Sequence, residues 1–219
     1  MKKYILILAA IMLLTVGCGK QNPNENLKAE NNSAKENEEK VEAYPKAVKV
    51  SGTLYEDTGY INSMVTCSTA DGEIKTAVSE KEMPTKDDES NFGTGYSYQV
   101  WEEGYVNVQI DNKWILFKDV ELKDDDSIPK YVAHFTAKVI QADEDAIMVE
   151  ATHVDEEFSF KELMTKPISL PLEAFDNSAD IKEIENKTVE VYFGGEIKNM
   201  EPESSIPIHL EKIYRIDIK

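Results

Sequence analysis

The sequence predicts a mainly β protein, in which an antiparallel β module is followed by a small five-stranded OB-like barrel with one short helix. Apolar and polar residues alternate with a period of two along many segments, and turn-forming residues separate those segments. The acidic stretch 123–127 and Pro129 interrupt the alternation and divide the chain into two regions. We therefore expect an antiparallel β domain over residues 43–122 and the barrel over residues 128–219.

In the first region, Val48, Val50 and Leu54 alternate with polar residues and predict one strand. Residues 96–117 predict a three-stranded meander with Asp111-Asn112 as a two-residue hairpin turn. The remaining predicted elements are strands near 64–68 and 73–79, a turn at Asp71-Gly72, and a long loop over 83–95.

In the second region, residues 132–140 and 146–151 predict a β-hairpin. Pro167 and Pro171 border an extended stretch and favour a sheet edge or a strand end. The other predicted elements are a helical turn at 180–184, a strand at 188–193, a bend at Gly194-Gly195 and a closing strand over 206–218.

The first 17 residues predict a signal peptide, because Lys2 and Lys3 precede a 13-residue apolar run that is too short to span a bilayer. Residues 15–18 resemble a lipobox, so we expect cleavage before Cys18 and attachment of lipid to its sulfur. Ordinary secretion and a retained short anchor are the alternatives. Residues 18–42 are polar and predict a disordered tether behind the lipidated cysteine.

The chain is strongly acidic, with a formal charge of −18 that becomes −20 when Lys2 and Lys3 leave with the leader. This charge argues against nucleic acid as a partner, because nucleic-acid binding needs a basic surface. With Cys18 committed to lipid, Cys67 has no partner for a disulfide within the chain, and we expect it as a small apolar residue in a strand.

Residues 90–96 form the strongest candidate ligand loop, because the segment combines glycines, an aromatic ring and amide side chains. We expect Asn91, Phe92, Tyr96 and Trp101 to contribute to it, with Tyr55, Tyr60 and Tyr105 nearby. The alternative is a loop that Phe92 packs against an open sheet edge. We expect no catalytic residues, no metal and no cofactor; His153 with residues 155–157 is read as a solvated strand end.

Several short motifs of the first region occur together in one known group of proteins; they are Asp57-Thr58-Gly59, residues 71–74, residues 90–93, Gly95-Tyr96 and Tyr98-Gln99. On these motifs the first region resembles a module of uncharacterised lipoproteins of Gram-positive gut bacteria. The second region resembles a small OB-type domain of unknown function in similar lipoproteins, through residues 189–195. The resemblance implies architecture and location, and it implies no activity.

From the leader and the resemblance we expect a lipid-anchored protein on the extracytoplasmic face of the cell membrane. A non-enzymatic binding or envelope-accessory role, with a glycan or an envelope protein as partner, is the leading hypothesis. The alternatives are a hydrolase of cell-wall or other polysaccharide and a substrate-binding component of a transporter.

Overall fold

The computed structural model describes residues 42–219 except 66, 68, 103, 124–126, 144–145, 176–182 and 199–206. The described residues are mainly β and form two mixed sheets, one of which curls into a half-barrel. Both sheets belong to one compact unit, Val41–Lys219. Among the described residues, no helix has the length and apolar character needed to cross a membrane. The predicted signal peptide, Cys18 and all of the predicted tether except Glu42 lie outside the described residues.

The first sheet comprises eight strands of the described chain, in the order β3-β6-β7-β8-β2-β1-β5-β4. These strands are β1 (Ala47–Val50), β2 (Thr53–Ile61), β3 (Gly72–Glu73), β4 (Thr76–Ala77), β5 (Glu89–Ser90), β6 (Ser97–Val100), β7 (Tyr105–Ile110) and β8 (Lys113–Asp119). Neighbouring strands run antiparallel, apart from the short pairing of β4 with β5.

The predicted meander is confirmed, because β6, β7 and β8 pair in sequence order as antiparallel strands. Asp111 and Asn112 join β7 to β8 with φ values of 50° and 61°. Two successive positive φ values give the turn a twist that matches the twist of the flanking strands. The predicted hairpin turn is therefore present at the predicted position.

The strand predicted through Val48, Val50 and Leu54 is confirmed at Val48 and Val50, which lie in β1, but its continuation to Leu54 is wrong, because the chain reverses at Ser51-Gly52. Their φ values are 50° and 86°, and β1 pairs with β2 as a hairpin. The Gly52 N–H also donates to Asp87 Oδ1 at 2.6 Å, which ties the turn to the segment before β5. The alternation of apolar and polar residues continues through the turn, so the pattern alone did not predict the turn.

The strand predicted near 64–68 is also wrong: Met64, Val65 and Cys67 are not in a strand. The side chain of Asn62 accepts the Met64 N–H at 3.0 Å and turns the chain out of the sheet after β2. The strand predicted at 73–79 is divided into β3 and β4, which lie at opposite edges of the sheet. The predicted loop 83–95 contains β5, which pairs with both β1 and β4.

The second sheet comprises seven strands of the described chain, in the order β13-β14-β11-β10-β9-β12-β15. These strands are β9 (Ala133–Ala142), β10 (Ala146–His153), β11 (Ile168–Pro171), β12 (Thr188–Phe193), β13 (Ile197–Lys198), β14 (Ile208–Leu210) and β15 (Ile213–Ile218). The predicted hairpin β9–β10 and the strand β12 are confirmed. Pro171 is the last residue of β11, which confirms the expectation of a proline at a strand end.

The sheet has seven strands in the described chain and not the five predicted, because the segment predicted as one closing strand divides into β14 and β15 and because β13 (Ile197–Lys198) was not predicted. Lys212, with a φ of 51°, turns the chain between them. The Gly194 N–H donates to both Glu211 O and Lys212 O, so the bend at Gly194-Gly195 holds this turn. β14 pairs parallel with β11, whereas β15 pairs with β12.

The helical content of the described residues is limited to short turns. These are 3₁₀ turns over Lys161–Leu163 and Leu172–Ala174, with Glu183 also in a helical conformation. Most of the predicted helical turn at 180–184 lies outside the described residues.

Each sheet has its own apolar core. In the first sheet, buried Val48, Val106, Val108 and Phe117 pack with Ile74. The larger core of the second sheet includes Phe135, Phe158, Phe160 and Phe193. A third apolar cluster lies where the two sheets meet.

Candidate binding groove at the junction of the two sheets

An aromatic cluster joins the two sheets, and we call it the inter-sheet cluster. Its buried members are Leu116, Tyr131 and Val132, and its partly buried members include Tyr60, Met64, Trp101, Tyr105 and Tyr214. Edge-to-face contacts pair Tyr60 with Tyr214 at 4.9 Å between ring centroids, and Tyr105 with Tyr131 at 5.5 Å. Such contacts add to the gain from burial and fix ring orientation.

Hydrogen bonds reinforce this junction. The Ile61 N–H at the end of β2 donates to the hydroxyl of Tyr214 on β15 at 3.0 Å. The Ser63 N–H donates to Tyr131 O at 2.9 Å. We call residues 120–132, between β8 and β9, the inter-sheet segment; it contains the predicted boundary. Its residues Tyr131 and Val132 are part of the packed junction.

A groove of about 540 Å³ lies beside the inter-sheet cluster, and we call it the basic groove. The cationic or ionisable basic residues that line it are Lys118, Lys123, Lys130 and His134. The aromatic residues that line it are Tyr105, Tyr131 and Tyr192. Among the described lining residues there is no Asp or Glu, although the chain carries 42 acidic residues against 24 basic ones.

The ring of His134 is held firmly at the wall of the basic groove. Its Nδ1 lies 2.8 Å from Val132 O, and its Nε2 lies 3.4 Å from Asp155 Oδ2. Both ring nitrogens thus lie close to oxygen atoms, which fixes the orientation of the ring. The ring also stacks on Tyr192 at 5.6 Å and meets the edge of Phe158 at 5.1 Å.

Tyr192 contributes a ring with a neutral hydroxyl to the same wall. Burial, followed by the negative charge of Glu190, raises the pKa of Tyr192 above its usual range. A hydrogen bond from Lys219 lowers the pKa of Glu190 in turn. The guanidinium carbon of Arg215, the only arginine of the chain, lies 5.1 Å from the centroid of the Tyr192 ring.

A second cleft, of about 410 Å³, adjoins the basic groove, and we call it the acidic cleft. Its carboxylates come from Glu56 and Asp57 on β2 and from Asp119 at the end of β8. Lys118 lines both cavities, and β2–β8 pairing places it opposite Glu56. Positive and negative side chains therefore occupy neighbouring parts of one surface.

The structure does not bring all four residues predicted for the ligand loop together, because Phe92 contacts Tyr96 but Trp101 lies in the inter-sheet cluster. Asn91 is buried, accepts the Ala47 N–H at 2.7 Å and donates to Pro45 O at 2.8 Å. Phe92 packs against Phe117 and Tyr96 in the first core. As in the alternative, Phe92 packs the loop against the sheet, but it does so against Phe117 of the central strand β8 and not at an open sheet edge.

Trp101, the fourth predicted residue, lies in the inter-sheet cluster and meets Tyr131 edge to face at 5.9 Å. Tyr60 and Tyr105, expected near the loop, also belong to this cluster, whereas Tyr55 packs against the first core. Trp101 lines a further pocket of about 420 Å³ with Met64 and Tyr131. Trp101 thus lines this pocket, whereas Asn91, Phe92 and Tyr96 line neither it nor the basic groove nor the acidic cleft.

Cys67 is exposed and is not in a strand, contrary to expectation, because the chain has already left the sheet at Asn62. The Gln99 amide nitrogen lies 3.7 Å from its sulfur. His153 is exposed and contacts Asp155 at 3.0 Å. Within the described part of the chain, no three His, Cys, Asp or Glu side chains are grouped as metal ligands would be.

Sequence reasoning missed the basic groove because its residues come from β7, β8, the inter-sheet segment, β9 and β12. No local motif links these positions. The available signal was Lys130-Tyr131 directly after Pro129, a cation and an aromatic residue in the segment predicted as a boundary.

No family model, no curated protein and no solved structure matches this chain.

Proposed function

We propose that this chain is an extracytoplasmic lipoprotein, anchored to the cell membrane through Cys18, that binds an envelope component without transforming it. The observation that carries the binding role is the basic groove at the junction of the sheets, lined by three tyrosines and four basic side chains. The leader and the lipobox-like residues 15–18 support the location.

The size and lining of the groove suit recognition of a small ligand or of one segment of a larger one. Ligand sites typically occupy roughly 300–1,000 Å³ and combine aromatic walls with a few polar groups. Tyrosine offers an apolar face for a sugar ring or a peptide and a hydroxyl for a hydrogen bond. A glycan or a peptide of the envelope fits both requirements.

The proposed anchor requires no basic membrane-docking surface, which this acidic protein would supply poorly. Two acyl chains on Cys18 hold a protein stably, at about 0.8 kcal/mol per buried CH₂. A flexible tether over residues 19–42 would have a root-mean-square reach of about 25–30 Å. The groove would then sample ligands near the membrane surface.

Anchoring is tested with Cys18→Ala followed by cell fractionation. We expect the wild-type protein in the membrane fraction with the mass of a lipidated chain, and the variant outside it. An unmodified mass in the wild type, or membrane retention of the variant, contradicts the proposal.

Binding is tested on arrays of envelope glycans and peptides with the chain from residue 19 onward, purified without lipid. Tyr192→Ala should weaken binding to any captured compound, whereas Tyr44→Ala, at an exposed position outside the groove, should not. Equal binding by both variants would contradict a site in the groove. Conversion of an array glycan to shorter products would instead support the hydrolase alternative.

A further inference from the structure

Strand β2 contains a bulge beside the inter-sheet cluster. On β2, residues 58–60 lie between two successive pairs of the ladder to β8, whereas on β8 the single residue Leu116 lies between the same two pairs. We call residues 58–60 the β2 bulge. A bulge bends its strand and redirects side chains, and bulges are frequent next to functional sites. The motif Asp57-Thr58-Gly59 runs into this bulge, and the proposed function gives the motif no role.

Hydrogen bonds from the motif hold the β2 bulge in one shape. The Thr58 hydroxyl donates to Leu116 O at 2.7 Å, so a side chain bonds to β8 at the point where the regular pairing is interrupted. The same oxygen accepts the Tyr60 N–H at 3.2 Å, and Asp57 Oδ1 accepts the Gly59 N–H at 2.7 Å. Gly59 has a φ of 72°, a left-handed conformation that glycine adopts without strain. The motif therefore encodes the bulge.

The β2 bulge contacts the second sheet around the turn between β14 and β15. The Lys212 ammonium group donates to Gly59 O at 3.1 Å, and the Tyr60 ring meets the Tyr214 ring edge to face at 4.9 Å. Directly after the bulge, the Ile61 N–H donates to the Tyr214 hydroxyl at 3.0 Å. Lys212 Nζ also lies 5.0 Å from the centroid of the Tyr214 ring, so these contacts form one connected group.

These contacts connect the strands that carry opposite walls of the basic groove. On the first sheet, β8 carries Lys118 two residues after Leu116, which the bulge holds. On the second sheet, β15 carries Arg215 directly after Tyr214, and Arg215 pairs with Tyr192 of β12. Lys118 and Tyr192 both line the groove. The bulge therefore links the strand of one wall to the strand beside the other.

We propose that the β2 bulge is a positioning element, which sets the angle between the two sheets and thereby the width of the basic groove. Apolar burial in the inter-sheet cluster is non-directional, whereas a hydrogen bond weakens steeply as its angle closes. The cluster therefore stabilises the contact between the sheets, and the directional contacts of Gly59, Tyr60 and Ile61 select its geometry. This role goes beyond the proposed function, because the angle between the sheets is set before any ligand binds.

The test measures the distance between the two sheets by double electron–electron resonance, without any ligand. Spin labels are attached through Ala77→Cys on β4 and Glu150→Cys on β10, both exposed positions, in the chain from residue 19 onward with Cys67→Ser. With the native bulge, the label distances should form one narrow distribution. Thr58→Val keeps the shape of the side chain but loses both hydrogen bonds of the hydroxyl, so it should displace or broaden that distribution.

Two further variants locate the effect. Lys212→Met removes the ammonium group on the opposite side of the contact, and it should also displace or broaden the distribution. Thr188→Val, at an exposed position of β12, is the matched control and should leave the distribution unchanged. Circular dichroism checks that each variant keeps its sheets. Should Thr58→Val fail to fold, Lys212→Met decides alone, because it leaves every residue of β2 in place.

A double-mutant cycle separates positioning from local stabilisation of β2. Tyr214→Phe removes the hydroxyl that accepts the Ile61 N–H. Because we expect Thr58 to place Ile61 against Tyr214, Tyr214→Phe should lower the urea midpoint less in the Thr58→Val background than in the wild type. A threonine that stabilises only β2 gives two losses that add.

Label distances that stay unchanged in both Thr58→Val and Lys212→Met, or losses that add in the cycle, overturn the positioning role. The proposed function fails separately, when Tyr192→Ala leaves capture on the arrays unchanged.

Discussion

Asp88 connects three parts of the first sheet through a single carboxylate. The Tyr98 hydroxyl donates to its Oδ1 at 2.7 Å, and the Lys75 ammonium group contacts its Oδ2. The hydrogen bond from Lys75, followed by that from Tyr98, lowers the pKa of Asp88. Burial, followed by the hydrogen bond to Asp88, raises the pKa of Tyr98 to about 12.

Asp88→Asn should therefore lower the pKa of Tyr98 from about 12 toward, but not to, its ordinary value of about 10. The charge and the strong acceptor are lost, while burial remains. Ultraviolet titration of phenolate formation measures the pKa of Tyr98, once the signal of the other tyrosines, recorded with Tyr98→Phe, has been subtracted. A full return to the ordinary value would mean that burial contributes nothing, and an unchanged value would mean that Asp88 contributes nothing.

Glu89 holds the loop before β5 through backbone hydrogen bonds. Its carboxylate accepts the Thr85 N–H at 2.8 Å and the Lys86 N–H at 3.2 Å, and the bond from Thr85 is the largest cause of its lowered pKa. A carboxyl group with a lowered pKa in the folded state stabilises the fold at pH values above its ordinary pKa. This contribution is lost as the pH falls through the folded-state value.

Glu89→Gln should thus reduce the urea midpoint at neutral pH and make it less sensitive to acid below about pH 4.5. Urea unfolding at a series of pH values checks this, with Glu150→Gln as the exposed control. Parallel acid dependence in wild type and Glu89→Gln would contradict the assigned role.

At the scale of the element, the sequence predicted strands best where turn chemistry and alternation agree. Asp111-Asn112 satisfies both, and the β7–β8 hairpin is where it was predicted. Ser51-Gly52 interrupts an alternation that continues across it, so the β1–β2 hairpin was missed. Asn62 turns the chain with its side chain, a contact that apolar periodicity does not record.

The motifs singled out in the first region supply several of its side-chain hydrogen bonds. Asp57 accepts the Gly59 N–H at 2.7 Å, Asp71 accepts the Val100 N–H at 2.8 Å, and Asn91 bridges Pro45 and Ala47. The positions of these motifs therefore indicated which loops are held in place by side-chain hydrogen bonds. The basic groove depends on contacts between distant strands, and no single segment encodes them.

Asn91→Ala should destabilise the fold by about 1–3 kcal/mol, because it leaves the buried Ala47 N–H without its acceptor. Asn91→Asp keeps the acceptor but loses the donor to Pro45 O, so its cost should be smaller. Urea unfolding measures both. Undiminished stability of Asn91→Ala with loss of captured ligand would instead favour the original ligand-loop hypothesis.

At the scale of the molecule, the inter-sheet cluster couples the two regions. Tyr214 of the second sheet contacts both Tyr60 and the Ile61 N–H of the first, and the inter-sheet segment contributes two buried side chains, Tyr131 and Val132. The predicted division at 43–122 and 128–219 stays a prediction about independent folding. The shared cluster favours cooperative unfolding of both regions.

Unfolding followed by tryptophan fluorescence and by far-ultraviolet circular dichroism should give one coincident transition. Trp101 and Trp114, the two tryptophans of the chain, both lie in the first region, whereas circular dichroism reports both sheets. Two separated transitions would contradict the coupling.

The most direct test of the binding account is an NMR titration of the isotopically labelled chain from residue 19 onward, with the array compound that binds most tightly. The account predicts that the largest amide shifts fall on Tyr105, Lys118, residues 128–134 and Tyr192, around the junction of the two sheets. Shifts concentrated on residues 90–96, with the junction unaffected, would contradict it.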